Sequence, residues 1–252
     1  MAELQEIVEY LDEYLNVAGI PDYPGAHNGL QVENRLPIER VSGATDACMA
    51  TIESAASAGS QLLLVHHGLF WGDAWPAVGV TYRRLRALID ADMAVYSVHL
   101  PLDIHPEIGN NVLLAGALDL AVEGRFGSAS GIDDFGVWAT ADISRADLAE
   151  RVRRVCGSTP LVIEGGPAHV RRIGIVTGGG GSMISQAHAA GLDTFLTGEG
   201  SHHTYHEAKE LGINVLYAGH YATETLGVKT LTSRVAERFG LEWEFVDYPT
   251  SL

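Results

Sequence analysis

Leu62-Leu63-Leu64-Val65-His66-His67-Gly68 decides how this chain is read: four apolar residues run straight into two adjacent histidines and a glycine. The run follows the turn Ala58-Gly59-Ser60 and shows no polar alternation, the pattern of a strand buried on both faces of a parallel sheet. Such sheets place their chemistry at the carboxyl ends of the strands, where His66 and His67 fall. Inside a strand the two imidazoles would point to opposite faces. At its end, with Gly68 letting the backbone turn, both can reach one pocket. The competing reading is a capping pair of exposed or hydrogen-bonded histidines.

On the amino-terminal side, Leu4, Ile7, Val8, Leu11 and Leu15 recur at helical spacing and predict an amphipathic helix over 3–16. Short strands follow over 28–32 and 38–45, then a helix over 47–58. Beyond the His-His strand the pattern predicts a helix over 81–91 and a strand over 94–99, which runs into Leu100-Pro101-Leu102-Asp103. A helix from Gly109-Asn110-Asn111 through Leu120 comes next, and Gly124–Gly131 is the candidate boundary.

The second half resembles the first. Val41–Gly68 aligns without a gap on Ile173–Gly200, each reading strand, turn, helix, Ala-Gly, apolar strand and polar tip. His99 is followed four residues on by Asp103, and His220 four residues on by Glu224. A period near half the chain points to duplication; generic likeness between βαβ units is the alternative. The predicted fold is α/β, with related repeats at 1–124 and 125–252, able to intertwine. Their sheets are expected to be mixed and mostly parallel, and to face each other across a metal-binding cleft.

Composition narrows the function. The 252 residues are 46% hydrophobic and 19% charged, ordinary for a globular protein. No apolar run approaches the roughly 20 residues of a membrane span. The acidic start, Met1-Ala2-Glu3-Leu4-Gln5-Glu6, lacks a secretory n-region, and Cys48 and Cys156 form neither a disulfide framework nor a metal cluster. A cytoplasmic protein with no membrane partner is expected. Acidic residues number 32 against 16 basic ones, a formal charge of −16, which disfavours nucleic acid held by phosphate contacts. Lys209 and Lys229 are the only lysines; acid-rich, lysine-poor surfaces resemble those of proteins from high-salt cytoplasm, and plain acidic drift is the alternative.

With the repeats facing, their strand tips would bring together His66, His67, Asp103, His220 and Glu224. His220 and Glu224 lie one helical turn apart and share a face. Imidazole and carboxylate donors without thiolate suit Zn²⁺, Mn²⁺, Fe²⁺, Co²⁺ or Ni²⁺. Five donors exceed the three protein ligands of an open catalytic zinc, and a carboxylate can bridge two ions. Two divalent cations per chain are therefore expected.

At these residues the chain resembles the Nif-three-like dinuclear metal-centre family, whose bacterial and archaeal members are often labelled "GTP cyclohydrolase type 2 homologue". The matching blocks are Asn28-Gly29-Leu30-Gln31-Val32, Val65-His66-His67-Gly68, His99-Leu100-Pro101-Leu102-Asp103, Gly109-Asn110-Asn111, Thr177-Gly178-Gly179-Gly180-Gly181, Thr197-Gly198-Glu199 and Gly219-His220-Tyr221-Ala222-Thr223-Glu224. The likeness spans nearly the whole chain and fits the short form of the family. It implies a two-metal site on His66, His67, Asp103, His220 and Glu224, and a toroidal hexamer whose cavity those sites face. His27 departs from the Asp that many relatives carry before Asn-Gly-Leu-Gln.

The functional expectation is hydrolysis of a nucleotide or other small metabolite by metal-activated water, with Glu199 or His99 shuttling a proton. By repeat correspondence, Glu199 and His99 also stand as orienting groups, with Asp46 and Tyr221 weaker candidates. The rival function is non-enzymatic, a metal-binding, metal-delivery or adaptor module. Gly178–Gly181 lacks the Lys-Ser/Thr of a P-loop; its amides are expected to approach a bound ligand. His202, His203 and His206 are read as lying on a helix, with Glu199 four before His203, and as a candidate second metal site; polar surface or a supporting place around the metals is the alternative.

Overall fold

The computed structural model describes residues 1–72 and 76–251. Asp73–Trp75 in the first repeat and Leu252 at the end of the second lie outside the described residues. In chain order the elements are α1 (Leu4–Tyr14), β1 (Gly29–Val32), β2 (Arg40–Asp46), α2 (Met49–Ser57), β3 (Leu62–His67), α3 (Gly79–Asp90), β4 (Ala94–Ser97), α4 (Leu100–Asp103) and α5 (Asn110–Ala117). There follow β5 (Gly124–Ala129), β6 (Ile132–Ser144), α6 (Arg145–Cys156), β7 (Leu161–Ile163), β8 (His169–Ile175), a 3₁₀ turn (Gly180–Met183), α7 (Ile184–Ala189), β9 (Thr194–Thr197) and α8 (Thr204–Leu211). The chain closes with β10 (Asn214–Tyr217), α9 (His220–Thr223), α10 (Thr225–Phe239) and β11 (Glu242–Phe245). Among the described residues, no helix is long and apolar enough to cross a membrane.

The fold is mixed α/β with two sheets, one in each of two compact units. The first unit comprises Met1–Leu102 and Gly227–Tyr248. Its sheet runs β1-β4-β3-β2-β11, with β4, β3, β2 and β11 parallel to one another and β1 antiparallel at the edge. The central place of β3 explains its composition. Flanked by β2 and β4 and covered on both faces, Leu62–Val65 are fully buried, each side chain contributing roughly 1.5–3 kcal/mol. Helix α2 supplies Ile52 and Ala55 to this core, and α3 supplies Leu88. At the start of α2, Thr51 Oγ1 accepts the Cys48 backbone N–H at 3.0 Å, satisfying one orphan donor. Helix α1 turns Ile7, Val8 and Leu11 inward, as their spacing requires.

The second unit holds Asp103–Leu226 and the end of the chain from Pro249. Its six strands run β5-β6-β8-β9-β10-β7; β8, β9 and β10 are parallel, and the flanking pairs antiparallel. Val137, Ile173, Ile175, Leu196 and Leu216 form the centre of its core. Helix α6 is delimited by local chemistry, with Ser144 Oγ accepting the Asp147 N–H and Gly157 left-handed at the carboxyl end.

The Gly/Ser-rich 124–131 stretch is a β-hairpin inside this sheet. Ser130 (φ 51°) and Gly131 (φ 81°) make the turn, and two consecutive left-handed residues suit the tight turn that joins β5 to β6. The compact units divide at Leu102–Asp103, Leu226–Gly227 and Tyr248–Pro249. The repeat division at 124/125 concerns likeness along the sequence and is a separate matter from these units. Within each unit three consecutive strands of the repeat lie parallel, β2, β3, β4 in one and β8, β9, β10 in the other.

Candidate metal centre

Each unit carries its own set of metal-type donors, at the carboxyl ends of its parallel strands. In the first unit, β3 ends on His66 and His67, and Val98-His99 follow β4 directly. The His66 and His67 rings are 4.7 Å apart at their centroids, His66 and His99 5.1 Å, His67 and His99 5.6 Å. One ligand atom from each lies within 4.8 Å of the others.

Each ring is fixed through Nδ1. His66 donates to the Val98 carbonyl at 2.9 Å, His67 to Asp46 Oδ1 at 2.8 Å and His99 to Asp22 Oδ1 at 2.8 Å. A carbonyl or carboxylate oxygen only accepts, so Nδ1 carries the proton and, in the neutral ring, Nε2 carries the lone pair. This is the tautomer and the support that metal-binding histidines use. His66 is fully buried and His99 nearly so.

Asp22, which sequence reasoning passed over, organises the loops around His99. It accepts from the Leu100 N–H at 3.0 Å, from Asn28 Nδ2 at 2.9 Å and from the Tyr23 N–H at 2.7 Å, besides His99. Burial alone would raise its carboxyl, but the His99 hydrogen bond and charge, with Asn28 and Tyr23, bring it below its ordinary value. Its partner stands 77 positions away, so no spacing signal marked it. The Asn28–Gln31 block has a related role. Asn28 Oδ1 accepts the His99 N–H at 2.7 Å, while Gln31 Oε1 accepts the Leu69 N–H at 2.7 Å. Gly68 serves close approach here rather than turning: a methyl there would meet the Gln31 amide and lie 2.6 Å from Ser97 Oγ, so those side chains would have to shift. His27, exposed, reaches Gly72 O at 3.3 Å.

In the second unit, Thr177, Glu199 and His220 follow the ends of β8, β9 and β10. Gly219 (φ 97°) turns the chain into α9, so that His220 Nε2 lies 3.0 Å from Glu224 Oε2 while His220 Nδ1 lies 2.8 Å from Glu199 Oε1. Two carboxylates against one imidazole favour the doubly protonated ring. The hydrogen bond to Glu224 leads in raising its pKa from 6.5 to about 9, Glu199 adds to it, and burial opposes. Glu224 is buried, and Gly178 makes room for it: a methyl at Gly178 would overlap Glu224 Oε1. Asp103, also buried, accepts Asn110 Nδ2 at 2.8 Å and the Thr177 hydroxyl at 3.4 Å. Asn111 Oδ1 in turn accepts the Thr177 N–H at 2.8 Å. Both asparagines of the Gly109-Asn110-Asn111 block therefore set the carboxylate's surroundings.

The glycine run does not present a phosphate cradle. Gly178 N–H goes to Thr223 Oγ1, Gly180 N–H to Thr197 Oγ1 and Gly181 N–H to Glu199 O, at 3.0, 3.0 and 3.2 Å. His202 and His203 stand in the turn before α8, whose first residue is Thr204; there the Thr204 N–H and hydroxyl both close on Ser201 O, at 3.0 and 2.5 Å. The His202 and His206 rings meet edge-to-face at 5.8 Å. Among the described residues, none of the three-donor groups includes His202, His203 or His206.

The profile of Duf34/NIF3 (NGG1p interacting factor 3) matches residues 2–251. The chain is 42% identical over 249 residues to a "GTP cyclohydrolase 1 type 2 homolog" of Deinococcus radiodurans, covering 98% of this chain and 94% of the relative. A protein of the same name from Pseudomonas aeruginosa is 43% identical, with 98% and 97% covered. The crystal structure of TTHA1606 from Thermus thermophilus superposes with a TM-score of 0.90 at 40% identity, covering 99% of this chain and 100% of that one.

Proposed function

The chain belongs to the Duf34/NIF3 family, and from that premise we propose a metal-dependent hydrolase that holds two divalent cations on His66, His67, Asp103, His220 and Glu224. The observation that carries this reading is the shared tautomer of His66 and His67, with Nδ1 held by Val98 O and Asp46 so that Nε2 has the lone pair. A capping pair of histidines would not need both rings fixed in this sense. Nitrogen and oxygen donors without thiolate fit Zn²⁺, Mn²⁺, Fe²⁺, Co²⁺ or Ni²⁺. Such ions, when bound, lower the pKa of a coordinated water and polarise the bond under attack.

The chain's own residues supply the rest. Asp46 and Glu199 orient His67 and His220 through Nδ1. His99, whose ring is held by half-buried Asp22, is the group that would accept and return a proton, and Glu199 is the second such group. The substrate is a nucleotide or other small metabolite. The working assembly is a closed hexameric ring, acidic and cytoplasmic, adapted to high salt; repeated heterologous contacts give a ring when the rotation closes.

A screen of metal-loaded protein against nucleotides, phosphoesters and amides tests the activity. Turnover that falls with His220→Ala and His99→Ala is the expected result. Two bound metals with no turnover against any class would leave a metal-binding or delivery module in place of an enzyme. Light scattering at high salt tests the ring: a mass of one chain, stable with metal bound, would remove it.

A further inference from the structure

The first unit contains a cleft of about 860 Å³ lined from α1, α10 and β11, and none of its residues belongs to the metal-binding set. Its charge is opposite to that of the molecule. In a chain of net charge −16 with only two lysines, Lys229, Arg234 and Arg238 converge on it, and Glu237 is the one carboxylate in its lining. On α10, Arg234 and Arg238 stand one turn apart on the same face, while Lys229, five residues before Arg234, lines the cleft from a different side of the helix. Arg234 and Arg238 are like charges one turn apart, an arrangement that disfavours the helix unless something offsets it.

Part of the offset is aromatic. The Arg234 guanidinium lies 4.4 Å over the Tyr14 ring and that of Arg238 4.4 Å over Tyr10. Stacking engages the flat face of a guanidinium, whereas bidentate phosphate binding uses its N–H edge, so both fit one side chain. Lys229 is over the Phe245 ring at 5.8 Å. Among the described residues neither Lys229 nor Arg238 makes an ion pair. Ser233 adds a hydroxyl, and Trp243, on edge strand β11, leaves 38% of its surface exposed in the cleft wall. The volume falls within the range of roughly 300–1,000 Å³ common to small-molecule sites.

We infer that this cleft binds a nucleotide, with Lys229, Arg234 and Arg238 on the phosphates and the Trp243 indole against the base. A simple inorganic anion would have no use for the exposed indole, and an apolar ligand none for three cations. The site is separate from the metal-binding residues and calls for no chemistry on the ligand.

Calorimetric titration of the full chain with ATP, inorganic tripolyphosphate and adenosine in 0.1 M KCl tests the assignment. Lys229→Glu and Trp243→Ala change exposed side chains, and unchanged thermal melts establish that each variant folds. Saturable ATP binding, weakened about 10-fold or more by each variant, is expected. Tripolyphosphate binding should respond to Lys229→Glu and not to Trp243→Ala. The proposal is overturned by three outcomes: no saturation at millimolar ATP; ATP binding lost in His220→Ala but intact in Lys229→Glu; or a changed mass by light scattering in either cleft variant, which would make this face an interface between copies.

Discussion

Asp46 and His67 occupy paired positions on the neighbouring parallel strands β2 and β3, and Asp46 Oδ1 accepts the His67 Nδ1–H at 2.8 Å. The sheet register itself therefore sets the orientation of a histidine that the proposed function makes a metal ligand through Nε2. Asp46→Ala is expected to weaken metal binding by about 10- to 100-fold, the usual cost of losing such a supporting group. The melting temperature of the metal-free protein should hardly change, because Asp46 lies at a partly exposed strand end. Titration with Zn²⁺ or Mn²⁺ reads the affinity. Unaltered affinity would mean that His67 is not a ligand.

Elemental analysis of protein purified without chelator should give about two divalent ions per chain. His220→Ala and Glu224→Ala should lower that content more than His202→Ala. A dominant effect of His202→Ala would place the site at the turn before α8.

Gly178 has φ 65° and faces buried Glu224. Gly178→Ala combines left-handed strain of about 1–3 kcal/mol with displacement of the carboxylate. Both stability and metal content should fall. Gly116→Ala, in open space on α5, is the control and should leave metal content intact.

In protein stripped of metal, His220 has its folded pKa raised from 6.5 to about 9, first by the Glu224 hydrogen bond. A raised histidine pKa contributes stability that is complete below the unfolded value and disappears as pH rises through the folded one. The stripped protein should therefore lose stability between pH 6.5 and 9, and His220→Gln should flatten that slope. If His220 Nε2 takes the proposed metal in place of its proton, metal binding near neutral pH should release protons, measurable by calorimetry in buffers of different ionisation enthalpy.

Sixteen surplus negative charges repel across a surface whose screening length is about 10 Å at 0.1 M salt and about 3 Å at 1 M. Melting temperature should rise markedly between low salt and molar KCl. A flat or falling curve would remove the high-salt adaptation and leave ordinary acidity.

The sequence by itself determined the two-sided burial of β3, because four consecutive apolar residues admit no solvent-facing side. It determined the one-turn spacing of His220 and Glu224, and the matched strand-helix-strand segments of the two halves. These are local properties, carried by periodicities of 2 and 3.6 residues. Only the tertiary structure decided that Asp22 would hold His99, or that Asn110 would serve Asp103. It also decided that the amides of Gly178, Gly180 and Gly181 would bond within the protein, and that 124–131 would be a hairpin in a continuous sheet. Hydrogen bonds across 77 positions leave no trace in local spacing. A Gly-Ser turn reads alike whether it separates domains or joins two strands; what distinguishes the cases is the pairing of β5 with β6 and of β6 with β8, contacts made only once the chain has folded back on itself.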